Sequence, residues 1–255
     1  MITATYDAEH TSKQVFHHSK APSRTARSEA FAIDPGFVVT REGYHVRFSH
    51  GIDQLRNKVS LLVERMYSWR GLHTDHPVMQ EDRPGQTTLV ACSGDHLFGT
   101  LTVGVDAGQG LLADELYRPQ IDAVRDGGGR VCELTRLAMD PSFSSPDVMG
   151  TLFHLAYIVA HMVHGMTDIF MEVHPRHAAF YRRMLGCHVA GPERVCPRVG
   201  APAVLLQLSL EHAEGQIQRL GGNRGSDDRS LYRKFFSPAE QDRLLQRMCG
   251  VPKAA

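Results

Sequence analysis

Apolar residues recur in short runs along the chain, and the length and spacing of these runs predict a set of β-strands. The runs cover residues 44–49, 87–92, 97–105, 131–139, 168–173 and 203–210. Residues Ser93, Gly94 and Asp95 separate the second run from the third. Because residues of this kind favour tight turns, the second and third strands are predicted to form a hairpin.

Other segments place their apolar residues at helical spacing. Residues 54–69 have one apolar face and a candidate N-cap at Asp53, which predicts an amphipathic helix. A shorter helix is predicted within residues 111–124, because the three glycines that begin at Gly127 cannot continue it. Ser145 and Pro146 form a strong helix start, and the residues up to 164 are apolar on nearly every side, as in a buried helix.

Two further helix starts lie towards the C-terminus. Pro175 begins a helix that ends before Gly186, and the segment from Ser237 to Glu240 has the pattern of a capping box. The predicted order, β-α-β-β-α-β-α-β-α-β with a helical tail, defines a mixed α/β sheet flanked by helices. We assign residues 36–215 to this domain, residues 1–35 to a disordered polar tail and residues 216–255 to a helical C-terminal extension.

Composition narrows the possible functions a little further. The chain has 255 residues and a formal net charge of zero, so no overall field attracts nucleic acid or an anionic membrane. Its five cysteines have no CxxC spacing, so neither a zinc site nor a disulfide framework is predicted. No signal-peptide pattern is present, and no apolar run reaches the roughly 18 residues of a transmembrane helix. These features predict a cytoplasmic protein without a metal site.

Candidate chemistry lies in the strand over residues 131–139, where two charged residues, Glu133 and Arg136, interrupt an apolar run. Burying a charge is costly unless it is paired or used, so this placement indicates either a functional site or a structural ion-pair network. On a regular strand a spacing of three places the two side chains on opposite faces. They would point into one cleft only if a β-bulge interrupts the strand.

Two segments resemble one group of enzymes. Glu133-Leu-Thr-Arg-Leu-Ala138 resembles the Glu-x-x-Arg motif in the fourth strand of the acyl-homoserine-lactone synthases, and is closer still to the long-chain N-acyl amino acid synthases. Both families have the GCN5-related N-acetyltransferase fold, in which a bulge in this strand is usual. His174-Pro-Arg-His-Ala-Ala-Phe-Tyr181 resembles their Pro-x-His-x-x-Phe-Tyr segment.

Two positions depart from the family pattern. Arg56 is similar to the arginine of the Leu-Arg-x-x-Val-aromatic motif, but Ser60 replaces the aromatic residue. The stretch that begins at Gly99 is similar to the Gly-Thr-x-Arg segment of the third strand, but Thr102 stands where arginine is common. These departures weaken the resemblance to the lactone synthases in particular.

The resemblance implies an N-acyltransferase that moves a long-chain fatty acyl group from acyl-carrier protein to the α-amine of an amino acid. It implies that Glu133 is the base, acting directly or through water, or else the group that orients the amine. Arg136 or Arg56 would pair with the carboxylate of the amino acid, because a guanidinium group fits a carboxylate bidentately.

The resemblance also implies a set of residues around the thioester. This set comprises Leu137, Ala138, Met139, His177, Phe180 and Tyr181. Backbone amides near Leu137 and Ala138 would stabilise the oxyanion, and the free amides at the start of the helix at Pro175 favour a polar ligand. We expect Phe180 and Tyr181 mainly to pack this helix on the sheet, with partial contact to the pantetheine arm of the donor. The apolar helix over residues 146–164 could line an acyl tunnel, and plain core packing explains it equally well.

The predicted donor depends on a missing loop. Ordinary acetyltransferases follow the fourth strand with a glycine-containing loop whose amides bind the pyrophosphate of coenzyme A. Residues 139–150 contain no such loop, and Asp140 and Asp147 would repel a pyrophosphate. We therefore expect acyl-carrier protein rather than acyl-coenzyme A as the donor, with no permanently bound cofactor. Two alternatives stay open: an autoinducer synthase that uses S-adenosylmethionine, and a non-catalytic acyl-binding or interaction domain.

Overall fold

A computed structural model describes residues 33–49, 53–72 and 83–250 of the chain. The strands are β1 (Val38–Arg41), β2 (Tyr44–Phe48), β3 (Gln86–Ser93), β4 (His96–Val105), β5 (Val131–Met139), β6 (Asp168–Val173), β7 (His188–Cys196) and β8 (Ala201–Ser209). They form one sheet of eight strands in the order β1-β2-β3-β4-β5-β6-β8-β7. Only the pairing of β5 with β6 is parallel among these neighbours, so the sheet is mixed, as predicted.

The helices lie on both faces of this sheet. They are α1 (Asp53–Ser68), α2 (Asp114–Asp126), α3 (Pro146–Tyr157), α4 (Pro175–Leu185), α5 (Leu210–Leu220) and α6 (Pro238–Met248). A π-helix (Ile158–Val163) continues α3, and a 3₁₀-helix (Leu231–Lys234) precedes α6. Two predicted helix starts are confirmed by their caps: the Ser145 hydroxyl accepts the Val148 N–H at 3.2 Å, and Ser237 forms the capping box with Glu240.

Alternation of side chains along the strands divides the core between the two faces of the sheet. Val90 of β3 packs against α1, whereas its neighbour Leu89 packs in the larger core around α3. On β5, Val131 packs against α2, whereas Cys132 joins the core around α3. The sheet therefore carries α1 and α2 on one face and α3 on the other.

The sequence does not predict two of the strands, β1 and β7. β1 has four residues, too few to show a pattern. β7 contains Gly191 and Pro192, residues that weaken a strand signal. β7 lies at the edge of the sheet, where a proline without an N–H group is tolerated.

The C-terminal segment packs on the face of the sheet that carries α3. Phe235 and Phe236 are buried in the main core, and His154 of α3 stacks on the Phe235 ring at a centroid distance of 4.8 Å. The His154 ring accepts the Phe236 N–H at 2.8 Å and contacts the Gln241 side chain at 2.8 Å. Burial lowers the pKa of His154 to about 4, so the ring is neutral and serves as a structural link.

Some predictions concern the limits of the domain. Residues 1–32 of the predicted tail lie outside the described residues. Helix α5 runs across residue 215, where the domain boundary is predicted, and the division of the chain into units stays a prediction. Within the described ranges, no helix is both long and apolar enough to cross a membrane.

Candidate active site

A cavity of about 390 Å³ lies where β5 and β6 separate. The two strands pair through three positions only, with Val131–Glu133 opposite Asp168–Phe170. Beyond these positions β5 stays paired with β4, and β6 stays paired with β8. The side chains that follow on both strands, from Leu134 to Leu137 and from Met171 to Val173, line the cavity.

A β-bulge in β5 brings Glu133 and Arg136 to this cavity. Thr100 is paired with Ala138 and Thr102 with Thr135, so a single residue of β4 faces two residues of β5. Arg136 has a φ of 51°, the left-handed backbone region that a non-glycine residue seldom adopts. The bulge that the spacing requires is therefore confirmed, and both charged side chains are buried and line the cavity.

Two backbone N–H groups hold the Glu133 carboxylate. One oxygen accepts the Leu112 N–H at 2.9 Å and the other accepts the Ala113 N–H at 3.1 Å. Gly104 lies opposite on β4, where a Cβ atom would come within 3.3 Å of the Glu133 side chain. Burial raises the pKa of Glu133 to about 7, although both N–H groups lower it. Such a carboxylate can accept a proton at neutral pH.

An ion-pair network fixes the loop that supplies these N–H groups. Asp114, at the start of α2, accepts the Leu111 N–H at 2.7 Å. The Arg125 guanidinium pairs with Asp114 at 2.8 Å, and with Asp106 and Asp122 at 2.6 Å each. One cation therefore joins three carboxylates, and the loop before α2 is held against Glu133.

Sequence reasoning missed a second buried ion pair, Glu172 with Arg198, which also lines the cavity. Arg198 lies in the turn between β7 and β8, pairs with Glu115 as well, and donates to the Leu112 carbonyl at 3.0 Å. Burial raises the pKa of Glu172, and Arg198 opposes that effect. Glu172 interrupts an apolar strand as Glu133 does, so the same signal could have found it. Arg198 has no such signal, because its position depends on how the turn folds back.

Aromatic side chains form the opposite part of the wall. Phe180 and Tyr181 of α4 and Phe153 of α3 line the cavity together with Tyr67 of α1. The Tyr181 ring also packs against Phe153, at a centroid distance of 6.4 Å. Both interpretations of this helix hold for Tyr181, which lines the cavity and packs against the core.

The structure brings together most of the residues predicted around the substrate. Those that line the cavity are Glu133, Arg136, Leu137, Met139, His177, Phe180 and Tyr181. Ala138 instead packs against α1, and Arg56 lies on α1 with a side chain that is 49% exposed, outside the cavity wall. The predicted roles of both residues stay predictions.

The start of α3, where a pyrophosphate loop would be needed, is covered by the chain itself. Lys234 of the 3₁₀-helix packs so closely on Gly150 that a Cβ atom there would lie 2.7 Å from it. Asp147 pairs with Arg224 at 2.8 Å and with Lys234 at 3.1 Å, while Asp140 pairs with Arg65 at 2.9 Å. Each aspartate has a cationic partner, so repulsion of a pyrophosphate is weaker than the sequence suggests. The cover by Lys234 is a steric obstacle that the sequence does not predict.

A buried carboxylate whose pKa is raised to about 7 at the wall of a cavity is suited to accept a proton from a bound substrate. The fold is that of the GCN5-related N-acetyltransferases, and the protein is an N-acyltransferase. Among the described residues, no group of three or more His, Cys, Asp or Glu side chains is placed to hold a metal ion.

Within this class the chain belongs to the family of the N-acyl amino acid synthase FeeM, whose family model matches residues 58–209. The solved structure of FeeM, an N-acyl amino acid synthase from uncultured soil microbes, is 25% identical with a TM-score of 0.62. That match covers 68% of this chain and 93% of FeeM. No curated protein matches the sequence.

Two other solved structures share the fold at lower similarity. The acyl-homoserine-lactone synthase LasI is 13% identical with a TM-score of 0.45, over 66% of this chain and 90% of LasI. A putative N-acetyltransferase from Lactobacillus plantarum is 17% identical with a TM-score of 0.48, over 66% of this chain and 99% of that chain.

Proposed function

We propose that the protein transfers a long-chain fatty acyl group from acyl-carrier protein to the α-amine of an amino acid. The observation that carries this proposal is the cavity between β5 and β6, which combines an apolar wall with buried Glu133 and Arg136. Membership of the family of FeeM, which is an N-acyl amino acid synthase, supports the same reaction class.

The residues around the cavity suit each step of this reaction. The α-ammonium group loses one proton to Glu133, and the neutral nitrogen attacks the thioester carbonyl carbon. Backbone amides near Leu137 and Ala138, beside the bulge, stabilise the oxyanion that forms. The C–S bond then breaks, the thiolate takes the second proton of the nitrogen, and an amide and a free carrier thiol result. Arg136 binds the carboxylate of the amino acid.

The apolar part of the wall supports a fatty acyl chain. The side chains that form it are Leu101, Leu134, Met149, Phe153 and Met171. Burial of one methylene group contributes about 0.8 kcal/mol, so each added methylene should raise kcat/KM about fourfold until the cavity is filled. A short acyl donor should therefore be a poor substrate.

The steric cover over the start of α3 supports a carrier-protein donor. Lys234 packs on Gly150, and the Ser145 hydroxyl already accepts the Val148 N–H. A thioester on acyl-carrier protein has no nucleotide or pyrophosphate to place there, whereas coenzyme A has both. The proposal includes a cytoplasmic reaction with no permanently bound cofactor.

A product assay tests the proposal. Purified protein is mixed with the pooled proteinogenic amino acids and with acyl-carrier protein bearing chains of increasing length, and products are read by mass spectrometry. Acyl-coenzyme A of the same chain lengths and S-adenosylmethionine serve as parallel reagents. We expect a long-chain N-acyl amino acid, formed faster from the carrier protein. Failure to form an amide from either thioester would refute the proposal, faster turnover of coenzyme A would refute the donor, and a lactone would favour an autoinducer synthase.

A further inference from the structure

The cavity contains a second carboxylate, Glu172, that the proposed reaction does not yet use. Glu172 lies on β6 two residues beyond Phe170, where the pairing of β6 with β5 ends. Its side chain is 13% exposed and pairs with Arg198 through Oε2. Its other oxygen, Oε1, is buried and has no hydrogen-bond partner among the residues that the structure describes.

Glu172 lines the cavity, and its Oε1 has a hydrogen-bonding capacity that no described residue fills, which favours a donor on a bound ligand as its partner. Buried polar atoms are nearly always hydrogen-bonded, so an exception needs a reason. Arg198 cannot move to satisfy Oε1 without giving up the Leu112 carbonyl, to which it donates at 3.0 Å, and its pairing with Glu115. Glu172 is thus held by Arg198 at one oxygen, and the other oxygen has no partner among the described residues.

Glu133 differs from Glu172 in this respect. Both oxygens of Glu133 accept backbone N–H groups, at 2.9 and 3.1 Å, so its hydrogen bonds to the protein are already made. Arg136 lines the same cavity and supplies a positive charge. The wall also includes the guanidinium groups of Arg198, which already pairs with Glu172, and of Arg70 and Arg176. Glu172 and Arg136 thus place a negative and a positive group in one cavity, which match the ammonium and carboxylate groups of a zwitterionic amino acid.

We infer that Glu172 binds the α-ammonium group of the acceptor amino acid through Oε1 and holds its nitrogen within reach of Glu133. This inference rests on the proposed function. The Arg198 guanidinium favours the ionised form of Glu172, and the single proton released before the attack passes from the nitrogen to Glu133. The negative charge of Glu172 raises the pKa of Glu133 and so favours this transfer. The positive charge of Arg198 lowers that pKa and acts in the opposite direction. Glu172 thereby also selects amines against hydroxy acids of the same shape.

The kinetic test compares two glutamates that share one partner. Glu172→Gln removes the charge inside the cavity, whereas Glu115→Gln removes the other charge that pairs with Arg198, on a side chain that is 47% exposed and outside the wall. The acceptor is the amino acid that gives most product in the pooled assay. We expect Glu172→Gln to raise its KM about tenfold or more, since a charge-assisted hydrogen bond is lost. The KM for acyl-carrier protein should stay within about twofold in both variants.

A binding measurement keeps the test independent of turnover and of folding defects. Thermal unfolding of the protein is followed with each proteinogenic amino acid and with the α-hydroxy acid of the same side chain. We expect at least one amino acid to stabilise the unmodified protein more than its hydroxy acid does, and Glu172→Gln to abolish this difference. Glu172→Asp, which keeps the charge on a shorter side chain, should retain part of it.

Three results would overturn the inference. These are an unchanged acceptor KM in Glu172→Gln, an equal rise in Glu115→Gln, and the absence of any preference for amino acids over hydroxy acids in the unmodified protein. A protein that binds amino acids in this selective way but forms no amide would instead overturn the proposed function and leave Glu172 as an ammonium-binding residue.

Discussion

The substitution Glu133→Gln separates the chemical role of this carboxylate from its cost to stability. Glutamine has nearly the same volume but does not ionise. The N–H groups of Leu112 and Ala113 meet different oxygens of the carboxylate, so in the same orientation the glutamine carbonyl oxygen accepts only one of them. The other N–H would face the glutamine NH₂ group, and a buried donor left unpaired costs about 1–3 kcal/mol.

The opposing effect is the cost of burying the charge. The pKa of Glu133 rises from 4.5 to about 7 on folding, mainly through burial. At about 1.4 kcal/mol for each pKa unit, this corresponds to about 3 kcal/mol. The folded state binds the Glu133 proton more tightly than the unfolded state does. The free energy of unfolding is therefore about 3 kcal/mol higher below pH 4.5, and this gain is lost as the pH rises through about 7. Glutamine has no such titration.

Denaturant unfolding of both proteins across this pH range measures the difference. We expect Glu133→Gln to be less stable than the unmodified protein by about 1–3 kcal/mol at low pH, and the two free energies of unfolding to converge or cross by about pH 8. Glu115→Gln, which alters an exposed carboxylate, should follow the unmodified protein in parallel. If the free energies of unfolding of Glu133→Gln and the unmodified protein differed by the same amount at every pH, Glu133 would not change its protonation on folding.

Turnover gives the second measurement on the same variant. The rate of the unmodified protein should rise as Glu133 loses its proton near pH 7, in the field of Glu172 and Arg198. Glu133→Gln should lower kcat by about 10²–10⁴-fold and remove that rise, since a general base is lost. Unchanged turnover would remove Glu133 from the mechanism.

Three further substitutions test the surroundings of the cavity. Arg136→Lys keeps the charge but loses bidentate pairing, so the KM for the acceptor should rise about tenfold while the KM for the donor is unchanged. An acceptor KM equal to that of the unmodified protein would contradict the role of Arg136 in binding the carboxylate. Arg125→Lys should loosen the loop whose N–H groups lower the pKa of Glu133, so the pH midpoint of kcat should move upwards, and an unmoved midpoint would contradict the link. His154→Leu leaves the buried Phe236 N–H unpaired and should lower the free energy of unfolding by about 1–3 kcal/mol, with kcat of the folded protein unchanged.

The bulge in β5 shows how far sequence reasoning reaches. The spacing of Glu133 and Arg136 alone requires a bulge if both serve one cleft, and the left-handed backbone of Arg136 supplies it. Strands and helices with clear periodicity were predictable, because their apolar residues recur at the spacing that places them on one buried face. β1 and β7 were not, because β1 has only four residues and β7 contains Gly191 and Pro192, which weaken a strand signal.

The charged groups of the site show where sequence reasoning stops. Glu133 and Glu172 give the same signal, a carboxylate within an apolar strand. Nothing in the sequence near either residue shows that β5 and β6 separate after Glu133 and Phe170. Asp147 pairs with Arg224 and Lys234, which lie 77 and 87 positions away along the chain. Neutralisation of a charge by such distant residues depends on the tertiary fold, and the sequence pattern around the aspartate contains no trace of it.

The contacts that close the core also constrain the order in which the chain can fold. The Asp34 N–H donates to the Met248 carbonyl at 2.8 Å, and Arg247 donates to the Val38 carbonyl across 209 positions. Contacts so distant in sequence carry a large loop-closure cost and form late. Phe235, Phe236 and Gln241 contact His154 of α3, so this surface of α3 stays uncovered during synthesis until these residues have left the ribosome. We expect the apolar surface exposed during this interval, rather than the stability of the folded protein, to determine how strongly folding depends on chaperones.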